Sequence, residues 1–245
     1  MKTEDIEYHA DGARLVGTLI VDDSREGRRP GVLVAPEGGG LADLTRTIAR
    51  RLAELGYVAF AMDYYGDGKP LADRNAVMPR ISAFMAAPDT IRARAAEALA
   101  VLARQPQTDP ERLAAIGYCF GGTTVLELAR NGADVKAVVG FHSGLATTRP
   151  AEPGAVRAKI LACIGFHDPI IPADQRLAFE REMDAAGVDW RMNLYGGAGH
   201  SFTNPNVGAF GMKGFEYHAA TDRRSWAAMR DLFDEVFGSV GAGAG

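Results

Sequence analysis

Cys119 stands in Gly117-Tyr118-Cys119-Phe120-Gly121, at the end of the apolar run LAAIGY (113–118). A thiol with glycine two residues away on either side fits a nucleophile on a sharp strand-to-helix turn, where larger neighbours would clash. A helix starting here would favour the thiolate through the positive end of its dipole. The N–H of Phe120 would then point toward a developing oxyanion. A thiol near neutral pH is mostly protonated, so it needs a base. Of the five histidines, His200 lies in GGAGHSF (196–202), directly after the last apolar run. Asp168 ends ILACIGFHD (160–168). The chain order Cys119, Asp168, His200 is that of nucleophile, acid and histidine. Asp168 would orient His200 and stabilise its cation, while His200 moves the proton. Glu37 ends GVLVAPE (31–37) and precedes three glycines. Its carboxylate could accept the thiol proton or pair with a nearby cation. The N–H of Gly38 is the candidate second oxyanion donor.

The elements that must carry these residues alternate in period. IEYHADGARLVGTLIV (6–21) reads as two strands turning at Asp11-Gly12. The continuous apolar run at 30–37 reads as a strand covered on both faces, 57–66 as another buried strand, and 113–118, 135–143, 158–168 and 188–196 as further strands. Between them, 41–56, 89–104, the stretch after Cys119, 173–187 and 217–237 have helical spacing, and Gly56 is a plausible C-cap. Strand followed by helix, repeated with short links, implies an α/β fold: a mostly parallel sheet with helices on both faces. Ligands bind such sheets outside the carboxyl ends of the strands, where all the candidates fall. The aromatics Tyr64, Tyr65, Phe120, Phe141 and Phe202 stand at strand ends and would line a small apolar pocket, with His142 and Ser143 as further candidates. The region 66–88 is the least regular and reads as a lid or a loop shaping that pocket. One domain over 1–237 and a disordered tail over 238–245 are expected.

Composition narrows the function classes. The 245 residues are 47% hydrophobic and 24% charged, with a net charge of −4. No basic tract with interleaved aromatics suggests nucleic acid. No run has the roughly 18 apolar residues of a membrane span, and MKTEDIEYHADG lacks the apolar core of a signal peptide. Two cysteines are too few for a disulfide scaffold, so a reducing, cytoplasmic setting is expected. No Cys/His pair has zinc-ligand spacing, so no metal is expected. Cys163, inside KILACIGF (159–166), reads as a core residue.

APEGGG (35–40), GYCFGG (117–122), GFHDPIIP (165–172) and GAGHSF (197–202) resemble, in order and spacing, the signatures of the dienelactone hydrolase family. The resemblance runs from about residue 4 to 237. It implies an α/β-hydrolase fold and a Cys-His-Asp triad on Cys119, His200 and Asp168. It also implies no cofactor, and a glutamate at Glu37 that interacts with the nucleophile. Members of the family hold a substrate carboxylate with arginines, one of them shortly after the histidine. Asn204 stands at that place here, and Arg74 and Arg80 are the candidates for the other. The expected substrate is a small ester or lactone, for a monomer or homodimer. Two rival readings stay open: an acyltransferase on the same triad, and a non-hydrolytic thiol, redox or ligand-binding protein.

Overall fold

The computed structural model describes residues 1–238, and the tail expected over 238–245 lies outside the described residues from 239 onward. Eight strands form one sheet in the order β1-β2-β4-β3-β5-β6-β7-β8. They are β1 Lys2–Ala10, β2 Ala13–Val21, β3 Arg29–Ala35, β4 Val58–Ala61, β5 Thr108–Tyr118, β6 Ala137–Phe141, β7 Lys159–Gly165 and β8 Trp190–Tyr195. Only β2 runs against its neighbours; β4, β3 and β5 to β8 are mutually parallel. The helices are α1 Asp43–Glu54, α2 Val77–Ala86, α3 Pro88–Ala103, α4 Phe120–Arg130, α5 Ala173–Ala185 and α6 Ala219–Phe237.

The continuous apolar strands do what two-sided burial requires. Leu33, Ala115, Val138 and Ile164 face a core shared with α3, α4 and α5. Their strand neighbours Val34, Ile116, Val139 and Cys163 face a second core shared with α1 and α6. Alternate residues thus serve opposite cores, which removes the polar face a half-exposed strand would show.

Register brings the strand ends level. Ala35 pairs with Gly117, Gly117 with Gly140, and Phe141 with Cys163. The chain winds from β3 to β4 on one side and returns to β5 on the other. The crevice between the carboxyl ends of β3 and β5 is therefore the switch point of the sheet.

Two sequence expectations are corrected. The strand expected over 57–66 stops at Ala61 because Asp63, fully buried, gathers the next turn around its carboxylate. Its Oδ2 accepts from the amides of Val16, Gly66 and Gly68 at 2.9–3.1 Å, and Oδ1 accepts from Tyr65 N at 2.9 Å. Those amides cannot also extend a strand. The stretch 66–88, expected as irregular, contains a short 3-10 turn at Arg74–Ala76 and then α2. Asp73 starts the turn by accepting from Asn75 N at 2.9 Å. Pro79 sits in the first turn of α2, where a missing N–H costs no intrahelical bond. Phe84 anchors the helix in the core beside Tyr64, Tyr65 and Phe120.

Candidate active site

Cys119 is the N-cap of α4 and has φ 54° and ψ −119°, a conformation that L side chains rarely adopt. The flanking glycines make it possible. A Cβ on Gly117 would lie 2.0 Å from the Gly121 carbonyl oxygen, and one on Gly121 would lie 2.1 Å from that of Ala35. The turn is fastened from both sides. Its amide donates to Phe141 O at 3.0 Å and to His142 Nδ1 at 3.1 Å. Its carbonyl accepts from the amides of Gly122 and Thr123 at 3.0 and 3.4 Å. The thiol is left partly exposed above the sheet.

His200 comes from the loop after β8 and is almost wholly buried. Its Nε2 lies 3.2 Å from Cys119 Sγ and its Nδ1 lies 2.7 Å from Asp168 Oδ2. The loop is held by a bridge to a later segment: His200 N donates to Gly214 O at 2.8 Å, and Glu216 N donates to His200 O at 3.1 Å. Asp168, from the turn after β7, spends its other oxygen on Ile170 N at 2.9 Å. Burial by itself disfavours the imidazolium of His200. The adjacent Cys119 sulfur and the bond to Asp168 outweigh it and hold the ring's pKa up to about 10.

Glu37 is half-buried at the end of β3. Burial raises its pKa from 4.5, while the charge of His200 and the bond from Asn204 Nδ2, 3.0 Å from Oε2, pull it back. Gly38 approaches the head of α4: a Cβ there would stand 3.5 Å from Phe120 Cβ. Its carbonyl accepts from Tyr65 Oη at 2.7 Å. The first amides of a helix have no intrahelical acceptor, so Phe120 N–H is free to serve a ligand.

Most of the expected substrate-facing residues stand behind the site instead. Tyr64 is fully buried and bonds Pro36 O and Thr124 Oγ1 at 3.0 and 3.1 Å. Phe141 is buried and stacks on Tyr118 at 4.6 Å, because odd positions of β6 face the α1/α6 core. Phe202 and His142 are fully buried, 5.1 Å apart edge to face. Ser143 is buried against Gly122 and Gly140. Asn204 is turned onto Glu37. These positions are corrected from pocket lining to support, since a strand-end aromatic can point to either face. Tyr65 stays partly exposed. Burial raises its pKa to about 12 against the pull of Arg80 and Arg94. Arg80 lies on the exposed side of α2.

Phe215 escaped the sequence reading. Its ring lies 4.6 Å from that of His200, partly exposed, on a loop with no periodic signal; only the bridge to His200 places it there. Cys163 is fully buried beneath α6, and burial pushes its pKa up to about 12. Among the described residues, no group of three or more His, Cys, Asp or Glu side chains could hold a metal ion. No helix among them is long and apolar enough to cross a membrane.

An eight-stranded sheet with one reversed strand, helices on both faces and a strained strand-to-helix turn at its switch point defines an α/β-hydrolase. The family model of the dienelactone hydrolase family matches residues 16–237, and the chain belongs to that family. Among solved structures, the protein called m3DLH is 45% identical, with a TM-score of 0.92 over 96% of this chain and 98% of its own. A dienelactone hydrolase-like promiscuous phosphotriesterase from metagenomic libraries is 39% identical, with a TM-score of 0.91 over 97% and 99% of the two chains. A Yersinia pestis relative that carries the name carboxymethylenebutenolidase is 27% identical over 235 residues, 91% of this chain and 85% of its own.

Proposed function

We propose that this hydrolase cleaves small esters or lactones through a covalent acyl-cysteine. Cys119 is the nucleophile, His200 the general base and acid, and Asp168 the group that orients His200. The observation that most supports this reading is the unbroken line from sulfur to Nε2 at 3.2 Å and from Nδ1 to carboxylate at 2.7 Å, on a strained turn. The proton of Cys119 rests on His200 as an imidazolium, and the freed sulfur attacks the acyl carbon. The amides of Phe120 and Gly38 receive the oxyanion. His200 protonates the departing alcohol, then takes a proton from water, whose oxygen attacks the thioester carbon and releases the acid and the thiol. Glu37, facing the His200 cation and held by Asn204, supports the charged state of the ring.

A thiolate leaves well, so the first tetrahedral intermediate collapses backward unless the alcohol leaves comparably well. Enol lactones, aryl esters and short activated acyl esters meet that condition. Asn204, in place of a cation, donates to Glu37 and brings no positive charge to a substrate carboxylate, which favours uncharged substrates. The similarity to a protein described as a promiscuous phosphotriesterase adds a neutral aryl phosphotriester to the substrates worth assaying. A panel of p-nitrophenyl acetate, an enol lactone, a thioester and an aryl phosphotriester, read with wild type and Cys119→Ser, tests the assignment. Burst release of p-nitrophenol at one equivalent per Cys119, absent from the variant, is expected. Wild-type turnover in Cys119→Ser would overturn it. Transesterification on addition of alcohols would move the reading to an acyltransferase.

A further inference from the structure

His142 is absent from the chemistry above, yet it touches two of the residues that chemistry depends on, Cys119 and His200. It follows β6 with φ 42° and is fully buried. Its own amide is fixed to Cys163 O at 2.8 Å. Its Nδ1 lies 3.1 Å from Cys119 N, and its Nε2 lies 2.8 Å from Thr203 Oγ1. Its ring meets that of His200 edge to face with centroids 5.1 Å apart.

The tautomer follows from the partners. A backbone amide can only donate, so Nδ1 carries no proton and accepts from Cys119. The proton is therefore on Nε2, which donates to Thr203 Oγ1. The titratable groups around the ring are His200, Cys119 and Tyr118, whose ring centroid is 6.0 Å away. Burial, and then the charge of His200, lower the pKa of His142 well below 6.5. A second cation here would turn an N–H toward the Cys119 amide and set two like charges ring to ring. Two adjacent buried histidines are thus divided: His200 carries the proton and His142 keeps one tautomer.

We propose that His142 is a positioning residue: its ring accepts from the Cys119 amide, is anchored by Thr203 and backs the ring of His200, fixing the thiol turn and the base in one geometry. The proposal rests on Cys119 and His200 acting as assigned above. A positive-φ turn is held only where its surroundings over-determine it, and the His142 acceptor supplements Phe141 O in doing so. An edge-on ring behind His200 limits how far Nε2 can swing from the sulfur.

Two variants separate positioning from packing. His142→Leu removes acceptor, donor and ring. His142→Asn returns an oxygen near the Nδ1 place on a residue type that tolerates positive φ. Each is assayed on p-nitrophenyl acetate. Each is also alkylated with iodoacetamide across pH, which reads Cys119 because Cys163 is fully buried. His142→Leu is expected to lose on the order of 100-fold in kcat with KM within about twofold, and to need higher pH for alkylation. His142→Asn is expected to recover at least about tenfold of kcat and to return the alkylation profile. Equal losses in the two variants, a loss confined to KM, or an unchanged His142→Leu enzyme would overturn the proposal. Should His142→Leu not fold, Thr203→Val decides: it keeps the ring but removes the acceptor of Nε2–H. A kcat loss of about fivefold with a shifted alkylation profile supports the proposal, and wild-type values for both overturn it. Retained turnover in Cys119→Ala is a different failure, that of the proposed chemistry itself.

Discussion

The two ends of α4 bury polar groups in opposite ways. At the carboxyl end, Arg92 of α3 grips Glu127 with Nε and Nη2 at 2.8 and 2.7 Å. Arg130 then bonds Glu127 at 3.0 Å and Glu182 of α5 twice at 2.8 Å. Further guanidinium protons go to the carbonyls of Arg149 and Leu145. Two cations meet two carboxylates, each carboxylate held by at least one guanidinium. At the amino end, Cys119 sits in a strained conformation, His200 is paired to a sulfur as well as to a carboxylate, and Glu37 has an amide for a partner rather than a cation. Saturated burial leaves nothing to react, whereas unequal partners leave protons with somewhere to go. A helix pinned at its far end by three elements can also carry a strained residue at its near end.

Cys119→Ala should cut aryl-ester turnover by at least about a thousandfold while thermal unfolding is unchanged, because it removes one partly exposed sulfur and leaves the backbone of the turn as it is. A comparable loss of stability would mean that the near end, too, is structural. Asp168→Asn should lower kcat by about 10²- to 10⁴-fold, with the crystal structure of the variant retaining the loop after β7. Glu127→Gln, at the far end, should reverse the pattern. Breaking one member of a buried ionic chain costs about 3–5 kcal/mol, read by denaturant unfolding, while kcat per folded molecule stays within about twofold. A large kcat loss there would show that the network reaches the thiol. Tyr64→Phe should cost only about 1 kcal/mol and leave KM unchanged, since its hydroxyl bonds protein and not solvent; a raised KM would return Tyr64 to the pocket.

The smallest effect concerns Glu37. Its pKa is raised in the folded chain, so between 4.5 and that raised value the native state binds more protons than the unfolded one. Its contribution to stability is complete below 4.5 and is lost as pH rises through the folded value. Glu37→Gln should therefore flatten the fall of the unfolding temperature across that window. An unchanged slope would mean that Glu37 is ordinarily solvated.

Local patterning carried much of this protein into view. The glycines around Cys119 and the continuous apolar strands are short-range signals, each with a steric or solvation cause that acts within a few residues, and the order Cys119, Asp168, His200 is legible along the chain because each of the three follows such a strand. Gly56 closes α1 as its position suggested, one residue past the C-cap Leu55. The helix α2 was not legible, because its apolar spacing is weak and its register depends on Phe84 finding an aromatic cluster from two other segments. The strand over 57–66 was cut short by a carboxylate whose partners come from β2 as well as from its own turn. Phe215 reaches His200 only through a bridge between loops. Sequence by itself determined which residues could react and which runs must be buried, since both follow from side-chain chemistry and local sterics. Tertiary structure alone decided which way the strand-end aromatics point, which histidine holds the proton and which keeps its tautomer. Those outcomes depend on partners brought from distant parts of the chain and on the burial that removes water as an alternative.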